Sequence, residues 1–109
     1  MSSLVCATLF AACTSVLGTA PVLAQTTGDV EAGRTIASTF CVQCHRISGS
    51  DNDPNRTPPD FAAVANMPSF TELSMRVFLQ TPHGLMPRYQ FSQNELDDII
   101  AYLASLRQR

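Results

Sequence analysis

Cys41-Val42-Gln43-Cys44-His45 is the stretch on which the reading of this chain turns, because C-x-x-C-H is the spacing that fixes a c-type haem to a polypeptide. Two cysteines three positions apart near a helix end face the same side. Their thiols can therefore add to the two vinyl groups along one edge of a porphyrin, and the adjacent His45 can bind iron through a ring nitrogen. Two other readings compete. A zinc half-site would need a second ligand pair, and the remaining candidate, His83, has no cysteine near it. A thioredoxin-like redox pair would need a βαβ pattern, and no strand-like run follows the motif.

Upstream of the motif, the first 24 residues carry no charged side chain, and residues 4–17 form an apolar core ending in Gly18, Thr19 and Pro21. Val22-Leu23-Ala24 has the small-residue pattern of a signal-peptide cleavage site, so residues 1–24 are expected to be a signal peptide and residues 25–109 the mature domain. The leader lacks the usual Lys or Arg near its start, which leaves an uncleaved anchor as an alternative; Cys13 after Phe10-Ala11-Ala12 also resembles a weak lipidation site. Cleavage would discard Cys6 and Cys13 and commit both surviving cysteines to haem, with no thiol left for a disulfide. A periplasmic location follows as the expectation.

All nine acidic residues and all seven arginines lie in residues 25–109, lysine is absent, and the formal net charge is −2. Nothing here suggests nucleic acid as a partner. A lysine-rich docking face is excluded, so a redox donor and acceptor would be met through an apolar edge with scattered arginines or acids. So short a domain buries little apolar surface by itself, and a haem ring in its middle supplies the missing core.

Downstream and upstream alike, the period is helical and no segment alternates like a strand. Asp29 reads as an N-cap with Glu31 in the first turn. Val30, Gly33, Ala37 and Phe40 then recur at helical spacing, so this helix delivers Cys41 and Cys44 to the haem. Gly33 costs about 1 kcal/mol relative to alanine in a helix and is expected to mark a close helix crossing, with a tolerated surface glycine as the alternative. Residues 46–59 are polar and rich in turn formers, an extended loop expected to wrap the haem edge. A carbonyl of Pro58 or Pro59 is a candidate partner for the second ring nitrogen of His45; a stiff turn before a short helix over residues 60–65 is the competing role.

Ser69-Phe70-Thr71-Glu72 and Ser92-Gln93-Asn94-Glu95 both read as capping boxes. The first opens a helix with Phe70, Leu73, Val77 and Phe78 inward, stopped by Pro82; the second opens one with a wide stripe of Leu96, Ile99, Ile100, Leu103 and Leu106. Between them lies Thr81-Pro82-His83-Gly84-Leu85-Met86-Pro87. A thioether is a soft, neutral ligand that favours ferrous iron and closes the sixth position, and Met86 is the candidate. Met75 falls within a helical pattern and reads as core. Met67, also followed by proline, is the lesser alternative, and His83 is expected at the surface or near a propionate.

Together these features resemble a small bacterial class I cytochrome c over nearly all of residues 25–109. The resemblance rests on Gly33 and Phe40 before the motif, Pro58 or Pro59 after it, Met86, and Asp98-Ile99-Ile100-Ala101-Tyr102-Leu103 near the end. It implies an all-α fold, three main helices plus a short one, around one covalently attached haem c. It also implies that the first and last helices cross at Gly33, with Ile99 and Tyr102 packing there. The expected function is a monomeric periplasmic electron carrier, not an enzyme, with Cys41 and Cys44 holding haem and His45 and Met86 as axial iron ligands. Contact with a membrane is expected only through a partner or an uncleaved N-terminus. Two departures stand out: Ala37 replaces the usual aromatic one turn before Cys41, and the basic docking face is missing. The alternatives of other classes are a haem-based sensor or peroxidase-like module with an open sixth position, and a haem subunit of a periplasmic dehydrogenase or oxidase.

Overall fold

The computed structural model describes residues 28–49, 53 and 55–108, and these contain helices and no strands. The helices are α1, Val30–Phe40; α2, Phe61–Ala65; α3, Glu72–Gln80; and α4, Gln93–Ser105. Three principal helices and one short one are thus present. The proposed leader, including Cys6, Cys13 and the cleavage point after Ala24, lies outside the described residues.

The first and last helices form the frame. Asp29 caps α1 by accepting from the Ala32 N–H at 2.8 Å, while its own N–H donates to Asp98 Oδ1 at 2.7 Å, so one residue starts α1 and ties it to α4. At Gly33 the two backbones touch. A Cβ placed there would overlap the Asp98 carbonyl and stand 2.9 Å from Tyr102 Cβ. Tyr102 therefore packs at the crossing as the resemblance implies, behind the Asp98 backbone, which is the nearest neighbour there; Ile99 is buried in the core, 1 % exposed. Gly28 makes a second close approach, against Asp97 and Asp98, that the sequence reading did not single out. Within α1, Gly33 and Ala37 are buried, but Val30 and Phe40 remain substantially exposed.

Helix α4 buries Leu96, Ile99, Ile100, Ala101, Tyr102 and Leu103, and around this stripe gather Ala37, Ile47, Phe61, Phe70 and Met75. Each fully buried aliphatic side chain contributes roughly 1.5–3 kcal/mol of transfer free energy, so α4 dominates the core. Its Tyr102 hydroxyl donates to the Ile47 carbonyl at 2.7 Å, pinning the chain just after the cysteine motif. The C-terminus is tied to α2: the Asn66 side chain donates to the Ala62 carbonyl at 2.7 Å and accepts from the Gln108 N–H at 2.9 Å.

Helix α3 corrects two expectations. Its N-cap is Thr71, not Ser69: Thr71 Oγ1 accepts from the Ser74 N–H at 3.0 Å and the Ser74 hydroxyl accepts from the Thr71 N–H at 2.9 Å. Ser69 contributes only its carbonyl, which accepts from the Ser74 hydroxyl at 2.9 Å. A Ser at N3 closes the box as Glu would, and that displaces the start of the helix into Glu72. The expected inner face is also turned. Phe70 is buried, but Leu73 is 72 % exposed, Val77 57 % and Phe78 47 %, while Met75 is in the core with Leu79 packed against it. At about 100° per residue, a Met75/Leu79 stripe toward α4 puts Leu73 and Val77 nearly opposite. A clasp from Arg76 to Gln93 and Asp97 of α4 fixes that rotation.

Candidate haem site

Helix α1 continues through the cysteine motif in a tightening turn. The Cys41 N–H donates to the Ala37 carbonyl at 2.9 Å, and the Cys41 carbonyl then accepts from the N–H groups of Cys44 at 3.2 Å and His45 at 2.9 Å. This winding holds the two cysteines and the histidine in one short turn, as the spacing predicts. Both cysteines are free thiols; Cys41 is buried and Cys44 exposed. Burial pushes the Cys41 thiol up from its ordinary value, because the thiolate would lose its hydration there.

His45 is oriented from the far side of the polar loop. Its Nδ1 lies 2.7 Å from the Pro59 carbonyl oxygen, which selects Pro59 over Pro58. Proline has no N–H, but its carbonyl is a free acceptor. A carbonyl can only accept, so Nδ1 carries the hydrogen and the lone pair sits on Nε2, the state in which imidazole ligates metal. Phe61 sits beside the ring, with centroids 5.5 Å apart, and Tyr102 stands behind Phe61 at 6.4 Å.

The end of the loop is anchored at the same place. Asp60, 1 % exposed, is approached by Arg56 Nε at 2.8 Å and by Arg46 Nε at 3.7 Å. The closer contact is an ion pair without the alignment of a hydrogen bond. The Phe61 N–H donates to the Arg46 carbonyl at 2.9 Å, so residues next to His45 and next to Pro59 are joined through both backbone and side chains. Sequence reading passed over Asp60; the available signal was an acid directly after Pro58-Pro59 with Arg56 four positions earlier.

On the other side of the motif, the segment carrying Met86 leaves α3 through a tight turn. Gly84 has φ +52°, in the left-handed region that favours glycine, and the Met86 N–H donates to the His83 carbonyl at 3.3 Å. His83 is held apart: its ring stacks on Phe78 at 3.8 Å and its Nδ1 lies 2.8 Å from the Thr81 carbonyl. Met86 is half-buried, Met67 is 41 % exposed at the end of α2, and Met75 is core. Past Met86, Tyr89 and Phe91 stack with each other at 5.4 Å and both lean on Phe40, at 5.5 and 5.9 Å. That cluster draws the Met86 segment up to the residue directly before Cys41.

The donor set suits haem. Two thiols share one turn with an imidazole whose metal-binding nitrogen is already selected, and a thioether lies on a segment joined to that turn. Phe61, packed beside the imidazole, supplies apolar surface there. Among the described residues no group of three or more His, Cys, Asp or Glu side chains could hold a bare metal ion.

In comparisons with known proteins, no curated protein and no solved structure matched the chain. The family model for cytochrome c, however, matches residues 30–107, from the first residue of α1 to just beyond α4. With the Cys-x-x-Cys-His turn, the directed imidazole and the all-helical frame, that match makes this chain a member of the class I cytochrome c family, a haem-binding electron-transfer protein.

Proposed function

We propose that this cytochrome is an exported, periplasmic, monomeric carrier of single electrons, with one haem c bound covalently through Cys41 and Cys44 and with His45 and Met86 as axial ligands of its iron. The observation that carries the reading is the 2.7 Å bond between His45 Nδ1 and the Pro59 carbonyl. It leaves Nε2 as the ligating nitrogen and fixes the ring against rotation.

Haem bound here would supply a reversible ferric/ferrous couple. The chain's part is to keep its own geometry the same in both states. Pro59 and Phe61 hold the imidazole from behind and beside. Met86 offers a neutral sulfur that favours the ferrous state and keeps small ligands out, which argues against an enzyme. Phe61, buried beside the imidazole, excludes water from that side, and a low dielectric keeps reorganisation small. Val42 and Leu85 stand exposed near the motif and the Met86 turn, and Arg88 follows. Exposed apolar side chains of this kind, with a cation two positions after Met86, suit brief docking of a redox donor or acceptor without lysines.

A second reading, a haem subunit of a periplasmic dehydrogenase or oxidase, draws on the exposed Leu73 and Val77 of α3. Purification from the native host separates the two: a carrier elutes alone, a subunit with its enzyme.

The direct test is spectroscopic. Colour should survive acid-acetone extraction and disappear from the Cys41→Ala/Cys44→Ala variant. The ferric protein should show the weak red absorption of thioether ligation, lost in Met86→Ala together with a gain of rapid carbon monoxide binding in the ferrous state. Extractable haem would overturn the attachment, and carbon monoxide binding as fast in the untreated protein as in Met86→Ala would overturn the sixth ligand.

A further inference from the structure

We infer that Tyr89 is a positioning residue that clamps the Met86 segment against the haem-attachment turn, so that the strength of the sixth ligand is set partly by a hydrogen bond to Phe40. The inference rests on the reading of Met86 as that ligand.

The Tyr89 hydroxyl donates to the Phe40 carbonyl at 3.2 Å, 49 positions away in sequence. Phe40 is the last residue of α1, and the next residue is Cys41. Its carbonyl is among the terminal carbonyls of α1, which the helix itself leaves without partners. Tyr89 meets that need from a segment three residues beyond Met86. The ring adds two contacts, tilted against Phe40 and stacked on Phe91. Phe91 directly precedes Ser92, the N-cap of α4, so the aromatic trio joins three things: the attachment turn, the ligand segment and the start of the core helix.

Upstream of Met86 the side-chain anchor is His83, stacked on Phe78 at the end of α3, and that contact does not reach the attachment turn. Leu85 is fully exposed, Gly84 is a bare turn, and the Met86 N–H bonds only within the turn, to His83. Met86 therefore hangs between a turn anchored only to α3 and an aromatic anchor that reaches the attachment turn. A sixth ligand on such a segment detaches by local opening, at a free-energy cost far below that of global unfolding. Removing the anchor raises the population of the opened form, and an external ligand that binds only that form gains affinity in the same proportion.

The test uses the haem-loaded protein and imidazole as the external ligand, titrated into the ferric form while the thioether absorption is followed. Tyr89→Phe keeps both ring contacts and removes only the hydroxyl. It should bind imidazole about twofold to tenfold more tightly than the wild type, the range supported by one hydrogen bond. Asn66→Ala, which cuts the ties between α2 and the C-terminus, should lower the thermal midpoint without changing imidazole affinity. Phe40→Leu, which removes the ring but keeps the carbonyl, should also tighten imidazole binding. Wild-type affinity in Tyr89→Phe, or equal tightening in Asn66→Ala, would overturn the clamp while leaving Met86 ligation intact. A wild-type protein without thioether absorption would overturn the Met86 reading itself and the clamp with it.

Discussion

Helices α3 and α4 begin alike and then part company. Each opens on a reciprocal capping box, Thr71 with Ser74 and Ser92 with Glu95. From there α4 sinks six residues into the core, whereas α3 buries only Met75 and leaves Leu73 and Val77 in the open. A capping box satisfies the orphan N–H groups of one helix end and says nothing about which face the helix will hide. In α4 the face is fixed by direct backbone contact with α1 at Gly33; in α3 it is fixed by one buried methionine and the Arg76 clasp. The side of the molecule built on α1 and α4 is thus packed by the chain itself. The side built on α3 and the Met86 turn leaves apolar side chains, Leu73, Val77, Phe78 and Leu85, exposed.

The sharpest way to break this contrast is to truncate one side chain on each helix. Ile99→Ala should cost about 2–5 kcal/mol, the range for emptying a buried aliphatic site, while Leu73→Ala should stay within about 0.5 kcal/mol, as for other surface changes. Chemical denaturation of the two haem-loaded variants gives both numbers. A comparable loss at Leu73 would mean that its face is covered in the working protein.

A smaller effect is expected at the crossing itself. Gly33→Val should destabilise by about 1–3 kcal/mol through overpacking, since the added carbons meet the Asp98 backbone, which cannot turn aside as a flexible side chain would. Gly49→Ala is the more informative comparison than a bulkier change in that loop. A Cβ there meets nothing, but φ is +101°, so strain alone, about 1–2 kcal/mol, is at issue. Thermal melts in which Gly33→Val matched wild type would deny that the α1/α4 contact is tight.

The caps should give the least. Thr71→Ala and Ser92→Ala should each cost about 1 kcal/mol, and hydrogen exchange should show α3 fraying further than α4, because less burial backs it up. The Ser92 box also has a pH dependence. Hydrogen bonds from the Ser92 N–H, at 2.8 Å, and from its hydroxyl hold the Glu95 carboxyl below its ordinary value. A folded-state pKa below the unfolded one contributes stability above the unfolded pKa, and that stability is lost as pH falls through the folded pKa. The wild-type melting temperature should therefore decline more than that of Glu95→Gln over the acid range; parallel curves would show that the carboxylate bonds contribute nothing.

Much of the site was legible because its chemistry is local. The motif at residues 41–45 constrains itself through a single helical turn, and Ser92 with Glu95 and Asp29 with Ala32 are bonds across three positions. Gly33 was legible for a different reason: a helix tolerates glycine at a cost, so its presence pointed to a close neighbour. The choice of Thr71 over Ser69 was not legible, since both precede a residue able to close the box, and the two starts differ only in how α3 then meets α4.

What the sequence alone determined is the set of parts: a Cys-x-x-Cys-His turn, a glycine where helices cross, four helical segments, and a pair of prolines whose carbonyls are candidates for a histidine nitrogen. Period, spacing and hydrogen-bonding capacity are properties of neighbouring residues, so a linear reading reaches them. Tertiary structure alone decided the rotation of α3, the choice of Pro59 over Pro58, the burial of Asp60 between two arginines, and the bond from Tyr89 to Phe40. Each of these joins segments distant in sequence, and which partner wins depends on the packing of α1 against α4, a contact that exists only once the chain has folded.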